Sequence, residues 1–331
     1  MQRVRKNIPP IVNFCPWQGG IPSSSPYNGA IAEASPRSVI TIRERRPSIK
    51  NKTFPVSFEV YPPRSPEHGG ALREAIDYLA RANPEFISVT FGAGGSSARD
   101  SLGVLDYIAT ATEASPLAHM TCVGNTQQEA TALIASFVEA GITQFLALRG
   151  DLPQGDDAPR GDLPHASDLV ELLMNLKGNG SAIDRVAVAA FPNGHPESTT
   201  PHQDIDVLLA KQEAGASLAI TQLFFLVEEY ERFVESARAA GVTMPILPGI
   251  MPITSARRLE RILELTGERA PRELRETLES AANPEAQKSV GIEWAANLTK
   301  DLKAMGAPGI HLYAFNQHET VLSVLEQSGV R

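Results

Sequence analysis

From Phe54 onward, the sequence alternates short β-branched or aromatic runs with segments of helical periodicity, and this alternation restricts the fold more than any other feature. Strands that alternate with helices pair in parallel through right-handed crossovers. Eight such units close into a (β/α)8 barrel, which typically needs ~250 residues. The sequence therefore predicts an α/β protein, a TIM barrel forming a single domain over residues 51–331. The eight predicted strands cover residues 55–62, 86–92, 117–124, 144–150, 185–192, 219–225, 245–251 and 309–316.

Two helix starts can be recognised between these strands. Thr126 and Glu129 have the spacing of a capping box ahead of the third helix. Thr200, followed by Pro201, is predicted to cap the helix after the fifth strand, with proline at the first helical position. Both signals place helices where the alternation requires them.

The first fifty residues differ in composition from the rest of the chain. They carry eight Lys and Arg against two acidic residues, a net charge of +6, and contain proline and glycine pairs without an apolar period. We therefore expect residues 1–50 to form a basic, disordered N-terminal extension. Because the whole chain has a formal net charge of −8, the remainder carries −14. This acidic body argues against nucleic-acid binding.

Membrane, disulfide-rich and metal-binding classes are also disfavoured. The apolar stretches fall well short of the roughly 20 residues that a membrane-spanning helix requires. Cys15 and Cys122, the two cysteines, cannot form a disulfide framework, and no zinc-binding spacing is present. We expect a cytoplasmic protein without a metal site.

The stretch SFEVYPPR places a carboxylate inside the first predicted strand. In a closed barrel, alternate residues face the lumen and the helix layer. Phe58 and Val60 should then pack outward, while Ser57, Glu59 and Tyr61 point inward. Burial disfavours the charged form of a carboxyl group, so we expect an elevated pKa for Glu59.

Polar side chains gather at the C-terminal ends of the predicted strands, where this fold carries its active site. No predicted strand contains a lysine, which disfavours an aldolase that works through a Schiff base. No G-x-G-x-x-G follows a strand, so a dinucleotide, if bound, is not held in Rossmann fashion. His119 in isolation is read equally well as a hydrogen-bonded core histidine. The strand-end set is Glu59, Thr90, Phe91, Gly92, Ala93, His119, Thr121, Arg149, Gly150, Asp151, Phe191, His195, Gln222, Gly249, Tyr313 and Asn316.

Eight segments resemble, in order and at fitting separations, the successive strand motifs of methylenetetrahydrofolate reductase. They are SFEVYPPR, FISVTFGAGG, HMTCVG, LALRGDLP, AAFPNGHPE, AGASLAITQLFF, ILPGIMP and HLYAFN. The resemblance runs from about Phe54 to the C-terminus. It implies an oxidoreductase that uses FAD to carry hydride from NADH or NADPH to a folate, 5,10-methylenetetrahydrofolate. The product would be 5-methyltetrahydrofolate, the methyl donor for methionine synthesis.

The resemblance also implies roles for individual residues. Glu59 corresponds to the general acid that helps to open the five-membered ring of the folate, and Asp151 to an aspartate beside the flavin and the pterin. Gln222 matches a glutamine that binds folate, and Arg258 and Gln317 lie at two further folate-side positions. The positions that match flavin contacts are Thr90, Phe91, Ala93, His119, Arg149, Gly150, Asp151, His165, Ala166, Phe191, His195, Asp204 and Lys211.

The chain departs from the family pattern on the flavin side. His165 and Phe191 replace tyrosines that bacterial members commonly have, so that a phenol hydroxyl is lost at each position. Val207 and Ala210 replace an asparagine and an arginine in the helix after strand five. Losing a charged partner of a phosphate costs on the order of 1.5–3 kcal/mol.

Few positively charged side chains remain that could bind the phosphates of the flavin or the glutamate tail of the folate. Arg149 and Lys211 are the main candidates to meet the flavin phosphates. On the folate side, Gln317 replaces an arginine and Arg258 replaces a glutamine. Arg258 is therefore a candidate to bind the glutamate tail of the folate.

Two alternatives stay open at this stage. One is a weak-flavin or flavin-free variant that passes hydride directly from the nicotinamide to the substrate. The other is a non-catalytic folate-binding barrel, against which the presence of both Glu59 and Asp151 speaks. Because the chain ends soon after the helix of the eighth strand, no regulatory domain and no inhibition by S-adenosylmethionine are expected. A homo-oligomer is expected.

Overall fold

Eight parallel strands close a barrel in chain order in the computed structural model, with β8 paired to β1. The structure describes residues 53–63, 65–91, 98–150, 161–200 and 202–331, so the predicted tail over residues 1–50 lies outside the described residues. Every predicted strand is present, with ends that differ by a few residues, and the predicted TIM barrel is confirmed. The strands are β1 (Val56–Val60), β2 (Phe86–Val89), β3 (Ser115–Thr121), β4 (Gln144–Leu148), β5 (Arg185–Ala190), β6 (Leu218–Leu223), β7 (Ile246–Ile250) and β8 (Ile310–Tyr313).

Helices cover the outside of the barrel. Across the described ranges, one α-helix follows each of the first six strands, whereas three helices connect β7 to β8. A short 3-10 helix (Pro66–His68) precedes the first of them, and no described helix is both long and apolar enough to cross a membrane. The α-helices are α1 (Gly69–Arg81), α2 (Ala98–Ala111), α3 (Gln127–Glu139), α4 (Ala166–Gly178), α5 (Gln203–Glu213), α6 (Val227–Ala239), α7 (Ala256–Thr266), α8 (Arg272–Ser280), α9 (Pro284–Ala304) and α10 (His318–Gln327).

Side chains of β1 alternate between two layers, as the sequence predicts. Phe58 and Val60 belong to the large apolar cluster between the strands and the helices. Ser57 and Glu59 face the lumen instead, where they contact side chains of other strands. Apolar side chains fill much of the lumen, which is a packed core rather than a channel. This inner cluster consists of Phe86, Leu117, Leu146, Leu148, Ala187, Leu218, Ile220 and Leu247.

The first predicted helix start is confirmed. Thr126 Oγ1 accepts a hydrogen bond from the backbone N–H of Glu129 (3.2 Å), and the Glu129 carboxylate accepts one from the backbone N–H of Thr126 (2.8 Å). This reciprocal pair satisfies two N–H groups that the first turn of α3 would otherwise leave without partners.

The second predicted helix start is wrong. α5 begins at Gln203, with His202 rather than Thr200 at the N-cap position. The Gln203 side chain folds back and accepts a hydrogen bond from the backbone N–H of Thr199 (2.8 Å). The long glutamine side chain thereby ties the preceding loop to the first turn of α5.

Candidate active site

A cavity of about 490 Å³ opens at the C-terminal ends of the strands, the end of this fold that carries active sites. It extends from the lumen to the first turns of α4 and α5. The cavity wall includes most of the predicted site residues. They are Glu59, Thr90, His119, Arg149, Gly150, His165, Ala166, Phe191, His195, Asp204, Lys211 and Gln222.

Glu59 is the buried carboxyl group of this cavity, with only 6% of its surface exposed. Thr90 Oγ1 donates a hydrogen bond to its Oε1 (3.2 Å). Two imidazoles face its other oxygen: Nε2 of His119 lies 3.5 Å from Oε2, and Nε2 of His311 lies 3.7 Å away. Residues of β3 and β8, and the residue directly after β2, therefore surround a single carboxyl group.

The expected elevation of the Glu59 pKa is wrong for this structure. Burial raises the pKa of this carboxyl, but attraction to His119 and His311, together with the hydrogen bond from Thr90, lowers it by more. The pKa of Glu59 therefore lies below its ordinary value. The expectation considered only desolvation, because the two imidazoles come from β3 and β8, which are far from β1 in the sequence.

Ser57 orients the second imidazole. Its Oγ donates a hydrogen bond to the carbonyl oxygen of Ile310 (3.1 Å) and lies 2.8 Å from Nδ1 of His311. The serine hydroxyl carries one hydrogen and can donate it to only one of these two acceptors, so the contact with Nδ1 couples the tautomer of His311 to the orientation of the hydroxyl.

Lys211 on α5 contributes a cation to the wall of the cavity. Its Nζ donates a hydrogen bond to the carbonyl oxygen of Ala189 (2.9 Å). Burial lowers the pKa of Lys211 to about 8, and attraction to Asp204 opposes this shift in part. Asp204 also accepts a hydrogen bond from the backbone N–H of His195 (3.1 Å), which fixes the loop after β5 to the helix. A buried ammonium group at a cavity wall is suited to bind an anion.

Arg149 lies directly after β4 and reaches the loop after β5. Its two terminal nitrogens donate hydrogen bonds to the two carboxylate oxygens of Glu197 at 2.6 and 3.0 Å. Gly150, the next residue, has a φ of 89°, and a Cβ there would lie 2.8 Å from Cγ1 of Val123. Glycine is therefore required where the chain leaves β4 beside the cavity.

The sequence of this chain matches a known protein family over most of its length. The family model described as methylenetetrahydrofolate reductase matches residues 44–329. The chain belongs to this family. The predicted family resemblance is confirmed over the barrel.

Relatives with this name are found in bacteria and plants. The chain is 34% identical over 277 residues to 5,10-methylenetetrahydrofolate reductase of Pectobacterium carotovorum, covering 83% of this chain and 90% of that protein. It is 35% identical over 277 residues to the Salmonella typhimurium protein of the same name, covering 83% and 91%. The probable methylenetetrahydrofolate reductase (NADH) of Oryza sativa is 33% identical over 287 residues, which cover 83% of this chain and 48% of the rice protein.

A solved structure shares the fold at low sequence identity. It is described as an uncharacterized protein from Clostridium thermocellum that binds two copies of 5-methyl-5,6,7,8-tetrahydrofolic acid. The TM-score is 0.59 at 14% identity, over 84% of this chain and 95% of that one. At this identity the likeness concerns the barrel architecture alone.

Two folate-side positions of the methylenetetrahydrofolate reductase pattern lie outside the cavity wall. The guanidinium of Arg258, on α7, packs over the ring of Phe315, 4.1 Å from the ring centroid. Gln317 is the N-cap residue of α10 and donates its backbone N–H to the carbonyl oxygen of Ala314 (2.8 Å). Arg258 therefore contacts Phe315, which lies two residues before Gln317 in the loop after β8.

Three flavin-side or catalytic positions are also not among the wall residues. Phe91 is described by the structure but does not line the cavity. Ala93 and Asp151 lie outside the described residues, and their predicted roles stay predictions. Within the described ranges, no group of three or more His, Cys, Asp and Glu side chains is placed to hold a metal ion.

Sequence reasoning missed two residues that act on the predicted ones. The sequence analysis does not predict the contact of His311, on β8, with Glu59. The signal was present, because His311 and Tyr313 share one face of β8 and Tyr313 belongs to the strand-end set. Glu197 lies in the irregular loop after β5, where no periodicity indicates the direction of a side chain.

Proposed function

We propose that the protein reduces 5,10-methylenetetrahydrofolate to 5-methyltetrahydrofolate, with NADH or NADPH as reductant and FAD as hydride carrier. Family membership supports the reaction, and the buried Glu59 beside two imidazoles is the observation that carries its chemistry. The product would supply methyl groups for methionine synthesis. We place the enzyme in the cytoplasm, where its nicotinamide reductant is available.

Glu59 would act as the general acid of this reaction. Opening the five-membered ring leaves a cationic iminium, and the departing nitrogen requires a proton. With a pKa below its ordinary value, Glu59 is ionised at neutral pH until a substrate covers it. A pterin that displaces water from the cavity would favour the neutral acid, because desolvation penalises the charged form. The proton that neutralises Glu59 would come from solvent as the substrate enters, and Glu59 would pass it to the departing nitrogen.

The cavity has the donor set for a phosphate-bearing dinucleotide. Lys211 and Arg149 are the two described cations of its wall, and both would hold phosphates. Phe191 packs edge-on against His195, with ring centroids 4.7 Å apart, and these rings offer an apolar surface to a flavin. Bound FAD would supply two-electron hydride transfer between the nicotinamide and the folate. We propose the remaining flavin positions, including Ala93 and Asp151, on the family resemblance alone.

The reaction can be tested on the purified full-length protein. We expect a yellow protein that oxidises NADH or NADPH with menadione as acceptor, and equally with 5,10-methylenetetrahydrofolate. A colourless protein that still reduces the folate would establish direct hydride transfer from the nicotinamide. Folate binding without turnover in either assay would make the chain a binding barrel and exclude the proposed reaction.

Arg258 is proposed to bind the glutamate tail of the folate. It lies on the first turn of α7, and burial lowers the pKa of its guanidinium, as expected for a cation partly shielded from water. We expect Arg258→Ala to raise the KM for a polyglutamylated folate by about tenfold, the effect of one lost charge-assisted contact, and to leave kcat unchanged. An unchanged KM would show that the tail is bound elsewhere. Arg257→Ala, one residue earlier on the exposed side of α7, is the matched control.

A further inference from the structure

Glu197 occupies the face of Arg149 that an anion would use. The guanidinium and the carboxylate meet through two parallel hydrogen bonds at 2.6 and 3.0 Å. This bidentate fork is also the geometry in which arginine binds a phosphate. A phosphate and the Glu197 carboxylate therefore compete for the same two donors.

The cavity wall carries more negative than positive side chains, and this balance affects how tightly an anion binds. Among the described wall residues, Glu59, Glu197 and Asp204 face two cations, Arg149 and Lys211. A diphosphate thus meets more carboxylates than cations, and like charges at short range repel. Turning Glu197 away from the cavity releases the two hydrogen-bond donors that it occupies on Arg149 and removes one of these three negative charges.

The two partners differ in how easily they can move. The Arg149 side chain is 25% exposed, and its Nε donates a further hydrogen bond to the carbonyl oxygen of Gly150 (3.3 Å). The Glu197 side chain is 46% exposed and lies on a loop without regular secondary structure. The carboxylate can therefore rotate into water, where it is solvated and loses only the ion pair, whereas the guanidinium is held at the cavity wall.

We propose that Glu197 is an affinity-determining residue of the anion site: its carboxylate occupies the fork of Arg149 and is displaced when a diphosphate-bearing dinucleotide binds. This inference rests on the proposed function for the identity of that dinucleotide, FAD. The hydrogen bond from Arg149 lowers the pKa of Glu197, so the competing carboxylate is charged at neutral pH.

The test is the substitution Glu197→Gln, which keeps the shape of the side chain and removes its charge. Full-length wild-type and variant proteins are titrated with FAD, with riboflavin, which has no phosphate, and with inorganic pyrophosphate. We expect the variant to bind FAD and pyrophosphate about fivefold more tightly, the scale of one partly exposed ion pair, and riboflavin with unchanged affinity. Glu264→Gln, which removes an equal charge from the exposed pair with Arg261, should change none of the three.

Two outcomes separate this inference from the proposed function. If the wild type binds FAD and reduces the folate but Glu197→Gln binds pyrophosphate equally or less tightly, the competition is overturned and the reaction stands. If pyrophosphate binds more tightly to the variant while neither protein binds a flavin, the competition stands and FAD is excluded as its ligand. Equal melting temperatures of the wild type and Glu197→Gln would show that a difference in ligand affinity does not come from a loss of stability.

Discussion

Glu59 lies between two opposing electrostatic effects. Its burial favours the neutral acid, and the imidazoles of His119 and His311 favour the carboxylate. In the structure the imidazoles prevail, although both act from distances longer than a hydrogen bond. The protonation state of this residue therefore depends on what covers the cavity, which suits an acid that must be neutral only when substrate is bound.

Removing the acidic proton of Glu59 should separate the two halves of the proposed reaction. We expect Glu59→Gln to lower kcat for folate reduction by about 10²–10⁴-fold, because positioned general acids contribute that much. Oxidation of the nicotinamide with menadione should continue, since that half-reaction needs no proton at this site. Steady-state rates with the two acceptors are the measurement, and Glu85→Gln, an exposed residue just before β2, is the control. Unimpaired folate turnover in the Glu59 variant would remove the proposed acid.

At the scale of single elements, the ends of the strands determine where the site residues lie. Arg149 and Gly150 follow β4 directly, and Gly150 has a positive φ at the edge of the cavity. Thr121, the last residue of β3, and Val123, two residues later, lie against Gly150. The strand end thus needs a glycine for two reasons, its backbone conformation and the space beside it.

The two reasons can be separated with a pair of substitutions. Gly150→Ala should lower the free energy of unfolding by about 3 kcal/mol, because it combines left-handed strain with overpacking against Val123. Gly141→Ala carries the same strain at a φ of 83°, but nothing lies within 4 Å of the added methyl group. We expect that control to lose about 1 kcal/mol. Urea denaturation of both variants measures the difference, and equal losses would refute the proposed steric contribution.

At the scale of the whole molecule, the loop after β5 is anchored to a distant helix end. Asn193 in this loop donates a hydrogen bond to the carboxylate of Glu268, just beyond α7 (2.8 Å). Burial raises the pKa of Glu268 to about 7, the hydrogen bond from Asn193 opposes the shift, and Glu229 adds to it. The loop that carries His195 and Glu197 is therefore tied to a group that titrates near neutral pH.

This titration should appear in the stability of the whole barrel. In the unfolded chain Glu268 titrates near its usual value of 4.5, so between about pH 4.5 and 7 the folded protein binds more protons. The free energy of unfolding consequently falls as the pH rises through that window. We expect Glu268→Gln to remove this loss, so that its stabilising effect is about 2 kcal/mol larger at pH 8 than at pH 5.

Urea denaturation at the two pH values measures the effect of Glu268→Gln. The matched control is Glu264→Gln, which removes a carboxyl group on α7 that is exposed. The control should change stability equally at pH 5 and pH 8. If the Glu268 variant behaves in the same way, the carboxyl does not titrate with a raised pKa in the folded protein.

Much of the architecture could be predicted from the sequence. The alternation of strand and helix patterns determines a parallel barrel, and the period of two along β1 places Glu59 in the lumen, because a strand has only two faces. The same reasoning gathers the strand-end residues at one end of the barrel, where most of them line the cavity. These features follow from local patterns repeated eight times.

Contacts between distant segments could be decided only by the tertiary structure. The pKa of Glu59 depends on His119 and His311, and barrel closure brings β8 beside β1 across more than two hundred residues. The fork between Arg149 and Glu197 depends on the path of a loop without periodicity. Electrostatic energies depend on distances of a few ångströms, which a sequence pattern does not determine, whereas the direction of a strand residue depends only on parity.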